Sequence, residues 1–507
     1  MTASRNRRLL TNAAAMLALG FFQRAAGLIS ISILARLLDG RGLGAFAFTQ
    51  AASQTFYGLS RLGTDAGIHV RLAGVELPVD KRHAEAILGE GLTIFVLIVI
   101  VVPLVMILGA DWIAQNIFGA PELADFLIAG AAFFVGQTLS QYCYTVYAGL
   151  GAFRTYSKIT GVTSVIAVFS VTIGGFVFGA SGAAWGLVGA QILGTINLAI
   201  GLKRLFRHLG LKVTARRPAR ETIAIFSIGM PFYAAGLLLI PAEFISNGIL
   251  TQVIGVKGLG DLRVIQTLMS IATVVPISLS GPMISFFADR HGFAEGPGAV
   301  LLQLKAIWIG ALAMAVCLAG LWPFLVHLLF GNGFGTAQSF GMLALAAFIP
   351  TMILTVLTGA LFGLRKSAYL FVIGACQAST LGIGAWLLVS EYGLSGLLIA
   401  QTVSVSVAAL LSFTVFSRQF RPRALRPWMV PMTAMTLVVF ALLLGDAYSS
   451  ESTIVRLAVT FSTLIACGLV VANMVISREE RIRISDALRA LLTVLRIWSR
   501  FSLSKKT

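Results

Sequence analysis

The stretch Gly91–Ala110, GLTIFVLIVIVVPLVMILGA, runs for 20 residues without a charged side chain. A helix needs about twenty apolar residues to cross a bilayer, so this stretch predicts a transmembrane helix. Similar runs recur along all 507 residues, of which 57% are hydrophobic and 11% are charged. Soluble domains carry roughly 25% charged residues, so most of this chain must face lipid. Long apolar runs favour a helical bundle over a β-barrel, whose strands alternate in polarity.

We therefore predict an all-α polytopic membrane protein with about fourteen transmembrane helices. The predicted spans are 12–37, 43–63, 84–108, 124–149, 159–179, 182–202, 222–250, 262–284, 301–330, 337–362, 368–389, 394–416, 429–448 and 454–477. Two of these spans are unusually long. Because proline cannot donate a backbone hydrogen bond, Pro231, Pro241 and Pro323 are expected to kink or break them.

The basic residues indicate the orientation of the chain. The formal net charge is +18, and the cations lie mainly in alternate loops, above all in 203–221. The opposite loops hold only Arg41, Lys257, Arg263 and Arg456. Cytoplasmic loops carry an excess of Lys and Arg, so we predict an even number of crossings with both termini on the cytoplasmic side of a bacterial inner membrane. The positive charge then reflects topology, and no nucleic-acid partner is expected.

The two halves of the chain resemble each other. Ala25–Leu28 matches Ala234–Leu237 at an offset of 209, and Gln191 matches Gln401 at an offset of 210. Six helices per repeat give both halves one orientation, so we predict two six-helix lobes related by a pseudo-two-fold axis along the membrane normal. The predicted parts are an N-lobe (1–202), a basic cytoplasmic linker (203–221), a C-lobe (222–416), two further helices (429–477) and a basic amphipathic cytoplasmic tail (478–507) that contacts membrane lipids.

Charged side chains inside the predicted spans are candidate functional residues. Arg24 lies roughly 18 Å into the first helix, and Arg61 lies near the cytoplasmic end of the second. Either guanidinium can hold a phosphate bidentately or form a structural ion pair. Asp65 follows Arg61 by four residues, which leaves an internal salt bridge open. Glu243 is an embedded carboxylate that can bind a proton or Na⁺ or pair with an arginine.

Amides add a second kind of candidate. Gln23 and Gln54 can line a cavity that accepts sugars, or can bond neighbouring helices. The chain has no Walker A, HExxH or GxSxG motif in a credible context, and its four cysteines show no CxxC spacing. We therefore expect no metal, no cofactor and no enzymatic activity. A membrane-embedded sugar polymerase would usually show a large external loop, and none is found.

The stretch Ile33–Ala47, ILARLLDGRGLGAFA, resembles the first-loop motif of bacterial polysaccharide (O-antigen-type) flippases. Those proteins have the pattern R-x-L-G-x-x-x-x-G-x-[FY] between their first two helices, and Asp39 stands here where Gly is more usual. The segment Leu62–Gly67 is similar to the end of the second helix in that family. The helix count, orientation and repeat extend the resemblance over the whole chain.

Membership of this family, within the multidrug/oligosaccharidyl-lipid/polysaccharide exporter superfamily, implies two six-helix lobes in a V-shape. It implies transfer of an undecaprenyl-pyrophosphate-linked oligosaccharide from the cytoplasmic to the periplasmic leaflet by alternating access, with cavity cations on the pyrophosphate. Polysaccharide polymerase and chain-length proteins are possible partners. A cation-coupled multidrug extruder and a lipid II flippase remain alternatives. The candidate substrate-binding residues are Arg24, Arg61, Gln54 and Gln23, and the candidate coupling or ion-pair residues are Glu243 and Asp65.

Overall fold

The computed structural model describes residues 2–73, 75, 79–217, 219–273, 290–363 and 367–420, together with residues 436, 439 and 463. The elements in these ranges are helices: α1 (Thr2–Leu37), α2 (Gly40–Ser60), α3 (Thr64–Ala73), α4 (Lys81–Leu108), α5 (Leu123–Gly149), α6 (Phe153–Leu209), α7 (Arg220–Leu237), α8 (Leu239–Ile254), α9 (Lys257–Ala272), α10 (Arg290–Phe330), α11 (Gly335–Gly363) and α12 (Ser367–Phe420). Short helical turns at Ala110–Trp112, Ile113–Ile117 and Asn332–Phe334 complete them. The predicted helices in 429–477 and the tail 478–507 lie outside the described residues, apart from those three single positions.

The predicted all-α polytopic fold is confirmed. Seven helical segments in the described ranges are long and apolar enough to cross a membrane. Two of them, Phe153–Leu209 and Ala368–Ser417, contain 57 and 50 residues. That is more than twice the roughly twenty residues that one crossing needs. Each of these two segments is therefore long enough for two crossings.

Each of these two long helices is broken at a glycine. In α6 the break falls at Gly179, with φ 65° and ψ −148°, and in α12 it falls at Gly393, with φ 56° and ψ −126°. Only glycine adopts such angles without strain. In α6 the two arms fold back on each other, because Gly194 packs against Thr163. The breaks are 214 positions apart and fall close to the predicted divisions at 179–182 and 389–394, near the offset of the sequence repeat.

The predicted span 43–63 corresponds to α2, which begins and ends three residues earlier and is followed by a turn into α3. Asp39 caps α2, because its side chain accepts a hydrogen bond of 2.6 Å from the backbone N–H of Gly42. The helix ends at Ser60, and Leu62 and Gly63 take positive φ angles of 46° and 74°. The chain then turns into α3, a ten-residue helix that is too short to appear as a crossing in the sequence.

The predicted span 222–250 is divided between its two prolines. α7 ends at Leu237 and α8 begins at Leu239, so Pro241 stands in the first turn of α8. A helix does not use the backbone N–H at that point, which is why proline is tolerated there. By contrast, α10 continues past Pro323 to Phe330, so this proline does not break its helix.

The first turn of α7 is bonded to the predicted N-lobe. The Glu90 carboxylate of α4 accepts hydrogen bonds from the backbone N–H of Ala219, at 2.9 Å, and of Thr222, at 2.7 Å. Arg71 of α3 forms an ion pair of 2.5 Å with Glu221. Helix N-termini leave backbone N–H groups without partners, so a buried carboxylate is an effective cap there.

The helix α2 also touches the predicted C-lobe at two places where glycine lets backbones approach closely. A Cβ on Gly44 would collide with the carbonyl oxygen of Val256, just before α9, and we call this the Gly44 contact. A Cβ on Gly63, beyond the end of α2, would collide with the carbonyl oxygen of Gly229 in α7, and we call this the Gly63 contact. Small residues allow such close helix packing in membranes. Between the two contacts, Gln50 of α2 accepts a hydrogen bond from Arg263 of α9.

Candidate functional site

A cavity of about 280 Å³ lies between the Gly44 contact and the Gly63 contact. Three helices form most of its wall: α2 from one half of the chain, and α8 and α9 from the other. Its lining residues are Ala47, Phe48, Ala51, Gln54, Thr55, Phe118, Ile240, Glu243, Phe244, Asn247, Leu259, Leu262, Arg263 and Gln266. We call it the central cavity. Because its wall comes from both halves, movement of one half against the other must change its shape.

Helical spacing explains how polar groups come to line the central cavity. Arg263 and Gln266 are three residues apart on α9, and Glu243 and Asn247 are four apart on α8. Residues at these separations lie on one face of a helix. Phe118 and Phe244 form an apolar part of the wall and pack edge to face, with their ring centroids 5.0 Å apart. The chamber therefore presents amides and two opposite charges beside aromatic rings.

Arg263 is the cation of the central cavity. Its guanidinium donates a hydrogen bond to the side-chain oxygen of Gln50, and its buried Nε atom has no hydrogen-bond partner among the described residues. An arginine stays charged and carries five donors in a planar fork. The Nη donors that Gln50 does not use can bond an anion that enters the cavity.

Glu243 is the anion of the same cavity. Its side chain is exposed to the cavity space, and no described residue forms an ion pair with it. Arg263 and Glu243 therefore share one chamber without being in direct contact. A small anion and a small cation each have a ready partner there.

The sequence interpretation of Arg263 was wrong. It counted this residue with an external loop, at the edge of the span predicted from 262, whereas α9 begins at Lys257 and Arg263 lies in its second turn. The sequence contained a usable signal near the offset of its repeat. An offset of 216 pairs Gln50 with Gln266 and Ala47 with Arg263, and both members of that second pair line the central cavity.

The predicted site residues fall in four places. Gln54 and Glu243 lie together in the central cavity. Gln23 lines a second cavity, formed by α1, α5 and α6. Arg24 lies in the middle of α1, partly exposed, lines neither cavity, and has no ion-pair partner among the residues that the structure describes.

Arg61 and Asp65 form the remaining pair. The Nη1 atom of Arg61 lies 3.4 Å from a carboxylate oxygen of Asp65, and the guanidinium carbon lies 6.0 Å from the ring centroid of Tyr57. The buried Nε atom of Arg61 has no hydrogen-bond partner among the residues that the structure describes. Arg61 stands in the turn after α2 and Asp65 in the first turn of α3, beside the Gly63 contact and outside the central cavity.

Comparison with known proteins adds a family and a fold. A family described as "Polysaccharide biosynthesis protein" matches residues 9–287. No curated protein matches the sequence. Among solved structures, the lipid II flippase MurJ in an inward closed conformation superposes with a TM-score of 0.67 at 12% identity, over 89% of this chain and 98% of that one.

Two further structures share the fold. A multidrug resistance MATE family transporter of the MOP superfamily, in an inward-facing conformation, gives a TM-score of 0.61 at 17% identity, over 80% of this chain and 93% of that one. A MOP superfamily transporter from Pyrococcus furiosus gives 0.62 at 15% identity, over 80% and 95%. At these identities the likeness concerns the fold, which is that of multi-pass membrane transporters.

Proposed function

This chain belongs to the polysaccharide biosynthesis protein family, and on that premise we propose that it is a flippase for a lipid-linked oligosaccharide. The substrate is an undecaprenyl-pyrophosphate-linked repeat unit of a surface glycan, of the O-antigen or exopolysaccharide type. The protein moves it from the cytoplasmic to the periplasmic leaflet of a bacterial inner membrane, with both termini of the chain in the cytoplasm. The observation that carries the proposal is the guanidinium of Arg263, which has no ion-pair partner among the described residues and lines a cavity between the two halves.

The two glycine contacts supply the means of alternating access. The central cavity lies between them, so separation of the helices at one contact opens it to one side while the other contact stays closed. Carriers built from two parallel repeats move by rocking one bundle against the other about such a site. Because each contact joins backbone to backbone, it can close tightly and part without unpacking large side chains.

Arginine suits the pyrophosphate part of the substrate. The free Nη donors of Arg263 can bond phosphate oxygens, while Gln50 holds the guanidinium in place. Arg61 stands at the Gly63 contact and Arg24 in the middle of α1. In this proposal they meet the pyrophosphate on its way to or from Arg263, and Gln54 contacts it in the cavity.

Glu243 connects substrate binding to an ion. In an empty cavity its carboxylate attracts Arg263, and a bound pyrophosphate competes with it for the same guanidinium. A proton or Na⁺ that neutralises Glu243 removes this competition, so ion binding favours substrate binding. Asp65 plays the equivalent part for Arg61, with which it is already paired. Partnership with a polysaccharide polymerase and chain-length proteins also remains a proposal.

A cation-coupled multidrug extruder is the second candidate, favoured by one observation. The central cavity combines the unpaired Glu243 with the rings of Phe118 and Phe244, and aromatic faces with a carboxylate attract organic cations. Lipid II is a further possible cargo, since it shares the undecaprenyl pyrophosphate group that Arg263 would hold.

The discriminating experiment uses the full-length protein in proteoliposomes. Three cargoes are compared: the undecaprenyl-pyrophosphate-linked repeat unit extracted from the source strain, lipid II, and the cationic dye ethidium. We expect the extracted repeat unit to cross fastest and ethidium not to be transported. Transport of ethidium alone would overturn the flippase proposal in favour of drug extrusion, and transport of lipid II alone would change its substrate.

A further inference from the structure

The second cavity lies inside the predicted N-lobe and has a volume of about 240 Å³. We call it the N-lobe cavity. Helices α1, α5 and both arms of α6 form its wall, and four glutamines supply much of its polarity: Gln23, Gln137, Gln141 and Gln191. None of the described residues that line it is an Asp, Glu, Lys, Arg or His. It is therefore polar but uncharged.

Two of these glutamines bond other side chains of the protein, and two do not within the described part of the chain. Gln191 donates a hydrogen bond of 3.0 Å to Ser140, and Gln137 accepts one of 2.9 Å from Ser53 of α2. The amides of Gln23 and Gln141 have no hydrogen-bond partner among the residues that the structure describes. A glutamine amide offers two donors and two acceptor sites. Two of the four amides thus present their full bonding capacity to the cavity.

Amides without neighbouring charges favour an uncharged ligand that carries hydroxyl groups. A phosphate or a carboxylate would find no cation here, and an organic cation would find no carboxylate. A sugar hydroxyl is both donor and acceptor, so it matches an amide in either orientation. Tyr156 lines the same cavity and packs against Tyr144 with the ring centroids 4.9 Å apart. This aromatic wall offers an apolar surface to the C–H face of a sugar ring.

We propose that the N-lobe cavity binds one sugar residue of the lipid-linked oligosaccharide, separately from the pyrophosphate. This inference rests on the proposed function. Its volume lies below the roughly 300–1,000 Å³ of most ligand sites, which suits a single ring. The two cavities are also neighbours. Ser53 bonds Gln137 of the N-lobe cavity, and the next residue, Gln54, lines the central cavity.

The test is equilibrium binding to the purified full-length protein in lipid nanodiscs. One probe is undecaprenyl pyrophosphate, and the other is the same lipid carrying the repeat unit extracted from the source strain. The test variant combines Gln23→Leu with Gln141→Leu, the two amides without partners. Gln377→Leu is the matched control, because Gln377 is an amide in α12 that lines neither cavity.

We expect the double variant to bind the glycosylated lipid about tenfold more weakly, since two hydrogen bonds to the sugar are lost. Binding of bare undecaprenyl pyrophosphate should not change, and Gln377→Leu should leave both affinities as they are. The milder variant Gln141→Asn, which keeps the amide but shortens it, should give a partial loss and covers the case in which the double variant does not fold.

Three other results have defined meanings. Equal losses for both lipids would make the amides structural and would overturn the sugar site. Unchanged affinity for both lipids would overturn it as well. A wild-type protein that binds neither lipid would instead overturn the proposed function on which this site rests.

Discussion

The central cavity and the N-lobe cavity are similar in volume, about 280 and about 240 Å³. They differ in charge and in which halves of the chain form their walls. Arg263 and Glu243 line the first, whose wall comes from both halves of the chain. Uncharged amides line the second, whose wall comes from one half. A charge between two bodies changes its partners when they move, whereas amides within one body keep their geometry. Position relative to the interface between the two halves, more than size, therefore distinguishes the two cavities.

The largest expected effect tests the charge in the central cavity. Arg263→Gln should reduce the initial rate of lipid translocation in proteoliposomes at least about 100-fold, because two charge-assisted hydrogen bonds of about 1.5–3 kcal/mol each are lost. Arg263→Lys, which keeps the charge but not the planar fork, should retain part of the rate. Wild-type transport by Arg263→Gln would remove the main chemical difference between the cavities.

The next effect tests the contact between the two halves of the chain. Gly44→Leu should hold the Gly44 contact open, since its side chain meets the carbonyl oxygen of Val256, and overpacking costs about 1–3 kcal/mol. We expect a roughly tenfold loss of transport, with faster labelling of an Asn247→Cys cavity reporter by an impermeant maleimide. Gly27→Leu is the control, because nothing lies within 4 Å of a Cβ there. Equal behaviour of the two variants would contradict this role of the contact.

A smaller effect separates substrate binding from coupling. Glu243→Gln removes a negative charge that competes for Arg263, so the affinity for undecaprenyl pyrophosphate should rise about three- to tenfold. Transport should at the same time lose its dependence on a proton or Na⁺ gradient, measured by imposing each gradient separately on proteoliposomes. Unaltered affinity together with full gradient dependence would exclude Glu243 from both roles.

The smallest effect concerns a pair outside both cavities. The hydrogen bond from Arg41, at 2.6 Å, holds the pKa of Glu122 below its usual range. A lowered pKa stabilises the folded state at pH values above the ordinary carboxylate pKa, and this contribution is lost as the pH falls through the lowered pKa. Glu122→Gln should therefore lower the Tm barely measurably at pH 7, because both side chains are largely exposed.

At a pH below that lowered pKa the Glu122→Gln variant and the wild type should melt together. Transport at pH 7 should be unaffected, which makes this variant a baseline for the cavity variants. A large transport defect would show that charge matters equally inside and outside the cavities.

The all-α polytopic fold was predictable from sequence, because hydropathy acts over some twenty residues and tolerates errors at the ends. The spans 159–179 and 182–202 were predicted apart even though α6 runs on between them with only Phe178 and Gly179 to break it. The site was less predictable, because it depends on which helix faces meet. An error of five residues at the start of α9 put Arg263 at the edge of its predicted span, where it was counted with the loop. Likewise, the bond from Arg263 to Gln50 joins residues 213 positions apart, which local patterns do not reveal.

The bonds between α7 and the predicted N-lobe bear on how the central cavity opens. Glu90 and Arg71 bond the first turn of α7, and Tyr233 donates a hydrogen bond to the carbonyl of Leu59. These bonds lie on the same side of the cavity as the Gly63 contact, so α7 can leave Gly63 only if they break. Opening on that side therefore requires the release of a buried carboxylate from a helix N-terminus.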